Sequence, residues 1–244
     1  MVYQYIGYTH TGSRDSNDDS FEMTLENGTL LAVVADGLGG HKNGSLASRM
    51  VVNSITHELK DAELDEDLLA YAIIHANKSL CDANINGMTT VAALWICADG
   101  NAVAAHVGDS RIYQIRDGEI IFQSQDHSMV QLAVLVGEIT PEEARHHKDR
   151  NKVFRVLGEK SEDPKVDSTE LTVEPGDRFL LCSDGFWEPI TEEMMVRTAV
   201  QSGSASDWLN AMQQLIFAAG NSRQDNHTAV CIIAEYSQLS TSPC

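Results

Sequence analysis

The sequence predicts an α+β fold in which antiparallel β-sheets are covered by α-helices. Five short apolar runs have the length and β-branched content of buried strands, at 31–35, 91–97, 102–107, 179–182 and 229–234. Apolar residues recur at helical spacing within three longer segments, 47–59, 68–80 and 209–219. Strand groups joined by hairpins and separated by helix pairs favour antiparallel sheets over a doubly wound parallel sheet.

Turn and cap residues mark several connections between these elements. The sequence ADGN at 98–101 predicts a tight hairpin between the second and third apolar runs. The sequence RDGE at 116–119 predicts another, with arms at 112–115 and 119–122. A helix is expected to begin in TPEEAR at 140–145, with Thr140 as N-cap and Pro141 at its first position.

Length and composition limit the class of protein. The chain has 244 residues, is 43% hydrophobic and has no linker-like stretch, so we expect a single domain over 1–244. A formal charge of −19 argues against nucleic-acid binding. No apolar run is long enough for a membrane helix, and the N-terminus lacks a secretory pattern. Five cysteines without CxxC spacing suggest reduced thiols, so we expect a cytoplasmic protein, and we expect a monomer.

Acidic residues flank the predicted strands at positions that an antiparallel sheet brings together. The end of one strand lies beside the start of its neighbour, so these carboxylates are expected to meet at one sheet edge. Three of them follow an apolar run directly or after one residue, and the fourth precedes the last run by four residues: Asp36, Asp109, Asp184 and Asp225. Two more precede the first run and could join the cluster: Asp18 and Asp19.

Such a cluster requires a counter-charge, because carboxylates a few ångströms apart repel one another and take up protons. Mg²⁺ and Mn²⁺ prefer oxygen ligands, and no His or Cys pair in the sequence has zinc-site spacing. Arg14 precedes the acids by a few residues and has two interpretations. It could form a salt bridge with them, or it could bind a phosphoryl group held over the metals.

Eight motifs occur in the order and spacing of the type 2C (PPM) metal-dependent protein phosphatases, over about residues 6–235. They are RDSNDD (14–19), DGLGGH (36–41), TT (89–90), GDSR (108–111), DHS (126–128), RVLG (155–158), SDG (183–185) and DN (225–226). The compact length and the stretch at 131–151 resemble the bacterial branch. The resemblance implies a four-layer αββα sandwich, with two packed antiparallel sheets flanked by helices, and a flap subdomain at about 131–151.

The resemblance also implies the metal ligands. Asp36 would bridge two Mn²⁺ or Mg²⁺ ions, with the carbonyl of Gly37 on one of them. Asp184 and Asp225 would complete the second site. A third, weaker ion would lie between Asp109 and Asp184.

Other site residues would act around these ions. Asp18 would hold metal-bound water, Asp19 would support Asp36 or its waters, and Arg14 would bind the substrate phosphate. The shell around the site would be supported by Thr90 and Asn226. His41 is close in sequence and is expected to support the site as a structural hydrogen bonder, not to act as the general acid. Three positions depart from the family pattern: Asp18 replaces a glutamate, Met88 replaces a glycine, and Leu38 stands where eukaryotic members often have a histidine proposed as general acid.

The expected activity is hydrolysis of phosphoserine and phosphothreonine in proteins by a hydroxide that bridges two metal ions. The expected partners are phosphorylated proteins, with a cognate bacterial Ser/Thr kinase as the opposing enzyme; a phosphorylated partner-switching regulator is the other substrate class. The alternative function is a catalytically weak, phosphatase-like scaffold or regulator. The segment 131–151 is expected to gate substrate, and its alternative is an ordinary pair of surface helices.

Overall fold

The computed structural model describes residues 1–38, 43–60, 62, 65–160, 163–220 and 223–236. Within these residues the chain forms ten strands and seven helices. The strands are β1 (Val2–His10), β2 (Asp19–Glu26), β3 (Thr29–Asp36), β4 (Val91–Ile96), β5 (Asn101–Val107), β6 (Arg111–Arg116), β7 (Glu119–Gln123), β8 (Asp167–Thr172), β9 (Arg178–Cys182) and β10 (His227–Glu235). The helices are α1 (Gly44–Leu59), α2 (Glu66–Asp82), α3 (Met129–Leu135), α4 (Pro141–Arg145), α5 (Asp184–Trp187), α6 (Glu192–Gln201) and α7 (Ala205–Ala219).

The strands form two five-stranded sheets in which every pairing is antiparallel. One sheet has the order β1-β10-β9-β6-β7, and the other has the order β2-β3-β4-β5-β8. A shared apolar cluster lies between them and includes Leu94 of one sheet and Phe179 of the other. The two sheets therefore pack face to face.

Helices cover both outer faces of this sandwich. On β3, Leu31 and Val33 point outward to the α1–α2 pair, whereas Leu30 and Val34 join the central cluster. The α6–α7 pair covers the other sheet, where Trp208 is fully buried against β9 and β10 residues. Strands buried on both faces account for the continuous apolar runs in the sequence. The predicted four-layer αββα architecture is confirmed.

The local predictions agree with these elements. All five apolar runs are strands, and both predicted hairpins form, between β4 and β5 and between β6 and β7. Thr140 caps α4 in a complete capping box with Glu143. Cys182 and Cys231 are buried within their strands, whereas Cys97 is half-buried because it lies at a turn after β4. None of the four described cysteines forms a disulfide.

Residues 129–153 form a separate excursion between β7 and β8 that contains α3 and α4. Its two ends are joined by an isolated bridge between Ser128 and Val153 and by a 2.9 Å hydrogen bond from Met129 N to Lys152 O. Arg145 at the end of α4 donates hydrogen bonds to the carbonyl of Trp187 and to the carboxylate of Glu192. The excursion is therefore fastened to the connection between α5 and α6. None of the described helices has the length and apolar character of a membrane span.

Candidate metal centre

The strand ends at one side of the sandwich enclose a cavity of about 430 Å³. Its walls come from the ends of β3 and β5, the start of α5 and the loop before β10. Six aspartates line it: Asp15, Asp18, Asp36, Asp109, Asp184 and Asp225. Among the described residues, Arg14 is the only basic side chain in its wall. The cavity therefore has a large excess of negative charge.

Asp36 lies at the end of β3, opposite Asp19 in the ladder with β2. The backbone of Asp36 is fixed by two threonines: Thr89 Oγ1 donates to its carbonyl at 2.8 Å, and Thr90 contacts its amide and its carbonyl. Burial, together with the charges of Asp19 and Asp184, raises the pKa of the Asp36 carboxyl well above its ordinary value. Thr90 thus supports Asp36 through the backbone, which agrees with a supporting role.

Asp19 lies behind Asp36 and does not line the cavity. Its Oδ2 accepts a 2.7 Å hydrogen bond from Ser183 Oγ, and Ser183 Oγ in turn accepts from the amide of Thr228. Its Oδ1 is buried and accepts no hydrogen bond of normal geometry from any described residue. Burial raises the pKa of Asp19 to about 6. A buried carboxylate oxygen without a hydrogen-bond partner is costly, and a bound cation or its water at this position would satisfy it.

Gly37 places the backbone at the cavity wall, where a side chain would not fit. A Cβ on Gly37 would lie 2.3 Å from Gly44 O and 2.6 Å from Asp18 O. The amide of Gly37 donates to that same Asp18 carbonyl at 3.1 Å. The Asp-Gly pair therefore brings β3 and the loop before β2 into direct contact beside the carboxylates.

Asp109 is positioned by the turn between β5 and β6. The preceding residue, Gly108, has a φ of 106°, and a Cβ there would lie 2.5 Å from Thr90 Cγ2. The indole nitrogen of Trp187 donates to the carbonyl of Asp109 at 3.0 Å. Burial, and then the charge of Asp126, raises the pKa of Asp109 to about 7.

Asp184 begins α5, directly after the N-cap residue Ser183. Burial, followed by the charges of Asp109 and Glu188, raises its pKa well above the ordinary value. Asp225 accepts hydrogen bonds from its neighbouring amide at Asn226 and from Arg14. These acids therefore lie close enough to repel one another.

Asn226 holds the opposite wall together. Its Oδ1 accepts from the amide of Asp18 at 2.8 Å, while its Nδ2 donates to the carbonyls of Thr11 and Ser16. The side chain is buried and therefore fixes the loop that carries Asp18 and Arg14. This contact gives Asn226 a supporting position in the centre.

Arg14 faces the cavity and forms an ion pair with Asp225, with 2.6 Å between Nη2 and Oδ2. Its side chain is 54% exposed. The structure thus contains the salt bridge that was one of two interpretations of Arg14, and it leaves the guanidinium at the mouth of the cavity.

Several residues at the centre were not singled out from sequence. Asp15 and Ser16 line the cavity within the RDSNDD motif, and Asn151 and Val153 reach it from the 129–153 excursion. Ser183 was visible only as part of the SDG motif. His41, which was expected to support the site, lies outside the described residues.

The donor set fits hard divalent cations. All the cavity carboxylates are oxygen donors, and no thiol or imidazole lines the described wall. Burial and then mutual repulsion raise the pKa values of Asp36 and Asp184. Mg²⁺ and Mn²⁺ favour such a site.

A second group of ligand-type atoms lies outside this cavity. Atoms of His106, His127 and Asp167 lie within 4.8 Å of one another. Arg155 Nη1 already contacts His127 Nε2 at 3.1 Å and Asp167 Oδ1 at 3.0 Å. The Arg155 guanidinium therefore supplies the counter-charge of the Asp167 carboxylate without a metal.

Comparison with known proteins gives one family. A family model described as "Protein phosphatase 2C" matches residues 6–224. The serine/threonine protein phosphatase PstP of Mycobacterium tuberculosis (strain ATCC 25618 / H37Rv) is 33% identical over 253 residues, which cover 100% of this chain and 47% of PstP. The chain thus spans about half the length of that relative. Protein phosphatase PhpP of Streptococcus pneumoniae (strain ATCC BAA-255 / R6) is 31% identical over 194 residues, covering 75% of this chain and 78% of PhpP.

Solved structures agree with this match. A serine/threonine phosphatase of S. agalactiae superposes with a TM-score of 0.85 at 27% identity, covering 96% of this chain and 100% of that one. The catalytic domain of PstP in complex with two manganese ions superposes with a TM-score of 0.81 at 28% identity, covering 96% and 99%. The fold, the acidic cavity and the family match lead to one conclusion: this chain belongs to the protein phosphatase 2C family.

Proposed function

We propose that the chain is a metal-dependent protein phosphatase that hydrolyses phosphoserine and phosphothreonine. The observation that carries this proposal is the convergence of six aspartates and one arginine on a single cavity in a protein phosphatase 2C fold. Oxygen donors of this kind suit Mn²⁺ or Mg²⁺, and an arginine at the cavity mouth suits a phosphate.

The aspartates would hold two ions, with a third as a weaker site. Asp36 and the Gly37 carbonyl would bind at the end of β3, and Asp184 and Asp225 would bind from the opposite sheet. Asp109 would contribute to the third site together with Asp184, and Asp18 would act through water. Bound divalent ions would lower the pKa of water and offset negative charge on the phosphate.

The chain's own groups would then position the substrate. Arg14 is half exposed, so its guanidinium is able to exchange the Asp225 carboxylate for two phosphate oxygens. Thr90 and Asn226 would keep Asp36 and Asp18 in place through the backbone contacts described above. The Ser183–Asp19 hydrogen bond would orient the carboxylate that backs Asp36.

The test is hydrolysis of p-nitrophenyl phosphate and of a phosphothreonine peptide with Mn²⁺, with Mg²⁺ and with EDTA. We expect metal-dependent turnover that is lost in Asp184→Asn and retained in Glu170→Gln, which neutralises an exposed carboxylate on β8. Arg14→Ala should mainly raise KM. A folded protein without turnover in any metal would instead support the scaffold alternative.

We also propose that the 131–151 segment is a flap over the active site. Asn151 lies in the cavity wall, and the segment is fastened beside the cavity through Arg145. If a deletion of 131–151 left both small-substrate kinetics and the choice of protein substrate unchanged, the segment would be an ordinary pair of surface helices and not a flap.

The same proposal extends to the cellular setting. Substrates would be proteins phosphorylated by a cognate Ser/Thr kinase, and the chain would act as a monomer in the cytoplasm. Reduced thiols at all four described cysteines support the last point. Sedimentation of the purified chain and phosphoproteomics of a deletion strain would test these statements.

A further inference from the structure

A second cavity of about 510 Å³ lies against the metal cavity and shares Arg14, Asn151 and Asp225 with it. We call it the arginine groove after the four arginines that line it: Arg14, Arg145, Arg150 and Arg223. It runs between the C-terminal part of the 129–153 excursion and the loop before β10. A substrate held at the metal cavity would therefore have this groove directly beside it.

The charge of the groove is opposite to that of the chain. The whole sequence has 17 Lys and Arg against 36 Asp and Glu. Four guanidinium groups line the groove, and Glu188 and Asp225 are the carboxylates among its described lining residues. A local concentration of positive charge on an acidic protein attracts anionic groups to one place, because the remaining surface repels them.

The four arginines differ in what they are able to bind. Arg145 is only 11% exposed and donates to three backbone carbonyls and to both oxygens of Glu192, so it holds the groove in shape. Arg150 is 39% exposed and donates through Nε to Glu188 at 2.9 Å. Arg223 is exposed on the opposite side. The guanidinium groups that reach solvent in the groove are thus those of Arg14, Arg150 and Arg223.

We infer that the arginine groove binds a second anionic group of the protein substrate, a carboxylate or a second phosphate, within a few residues of the phosphorylated residue. Guanidinium groups match the planar or bidentate geometry of both anions. An extended peptide advances about 3.3 Å per residue, so a flanking side chain reaches an adjoining cavity within a few positions. This inference rests on the proposed phosphatase activity and names the sequence context that the activity favours.

The experiment uses phosphothreonine peptides of equal length whose neighbouring residues, tested on either side, are Glu, Ala, Lys or a non-hydrolysable phosphonate. The readout is kcat/KM with Mn²⁺ at low salt for the full chain and for Arg150→Glu, Arg223→Glu and Lys152→Glu. Lys152 is the matched control: it is 66% exposed, lies in the same segment and lines neither cavity. Its substitution makes the same charge change outside the groove.

We expect the wild-type enzyme to prefer an anionic flank over Ala by about fivefold, as for a partly exposed ion pair, and to lose this preference near 0.5 M salt. The preference should disappear in Arg150→Glu or Arg223→Glu and persist in Lys152→Glu. Preference for Glu and phosphonate alike identifies a general anion site, whereas preference for phosphonate alone identifies a second phosphate. Equal kcat/KM for the Glu, phosphonate, Ala and Lys peptides, or a preference that survives in both arginine variants, would overturn the inference.

A binding measurement separates the groove from the proposed activity. The same four flanks are placed in fluorescein-labelled peptides whose phosphothreonine is replaced by a phosphonate, and fluorescence anisotropy gives Kd without turnover. Failure to hydrolyse even the Ala peptide would refute the phosphatase proposal. The Kd values for Glu and phosphonate flanks, each relative to the Ala flank, in the wild type and in the arginine variants, would still decide whether the groove binds an anion.

Discussion

The metal-free protein should be destabilised by the buried carboxylates of its acidic cavity, and Asp109→Asn should relieve part of this cost. Asp109 is only 5% exposed, and its pKa rises from an ordinary value of 3.8 to about 7. At about 1.4 kcal/mol per tenfold change in the proton equilibrium, the ionised carboxylate costs at most about 4 kcal/mol. Asparagine has nearly the same shape and no charge, so we expect a gain of about 2 kcal/mol at pH 8.

The sign of the pH dependence follows from the raised pKa. Between pH 4 and pH 7 the folded protein keeps a proton on Asp109 that the unfolded chain has lost, so the stability of the wild type falls as pH rises through this range. The Asn variant lacks this contribution. Its advantage should therefore be small near pH 4, increase to about pH 7 and remain constant above that.

Thermal denaturation in EDTA from pH 4.5 to 8.5 measures this difference. For a chain of this size, 2 kcal/mol corresponds to roughly 4–8 °C in Tm. The control is Glu170→Gln, which removes an exposed carboxylate on β8 and should change Tm little at any pH. The reasoning is refuted if Asp109→Asn is no more stable than the wild type at pH 8, or if its advantage is the same at pH 4.5.

Two substitutions test contacts that stabilise the fold, one at each end of the strands. Asp177→Ala should lower the free energy of unfolding by about 3–5 kcal/mol, because the fully buried carboxylate accepts hydrogen bonds from Arg116 Nε and Nη2. Urea denaturation measures the loss, and the control is Glu174→Gln, which changes the 62% exposed partner of the same arginine. Equal losses in the two variants would contradict the prediction. Gly108→Ala should cost about 2–3 kcal/mol, because it places a side chain at φ 106° and against Thr90, and an unchanged urea midpoint would disprove that strain.

The sequence was sufficient for the sandwich and for most of the acidic cavity. Fully buried strands such as β4 give uninterrupted apolar runs, and their ends locate Asp36, Asp109 and Asp184 without any knowledge of the topology. Antiparallel pairing then brings strand ends together. This is why a one-dimensional pattern predicted a three-dimensional cluster.

Three strands were not predicted, for physical reasons. β8 is almost fully exposed at a sheet edge, so DSTELT has no apolar run. β1 and β2 are partly exposed and alternate irregularly, so their sequences have no clear period. Four-residue α5 is too short for a helical pattern.

Contacts between residues far apart in the chain also could not be predicted from the sequence. The hydrogen bond between Asp19 and Ser183 joins positions 164 residues apart, and Arg145 reaches Glu192 through the fold alone. The sequence did not decide between a salt bridge and a phosphate contact for Arg14, because the choice depends on which anion lies nearest to its guanidinium group in the folded protein. The structure contains the pairing with Asp225, and the phosphate contact stays a prediction.

The order of strands within the first sheet determines when that sheet can form during synthesis. β1 is made first, yet its sheet partner is β10, with Val2 opposite Glu235. At about 5–20 residues per second, the N-terminal strand waits roughly 10–45 s for its neighbour, while β2 to β5 are already able to pair. Asp184 and Asp225 leave the ribosome late for the same reason. With the ligands proposed above, a metal ion that arrives early would meet Asp36 and Asp109 but not Asp184 and Asp225, so its capture would report that β10 has been inserted.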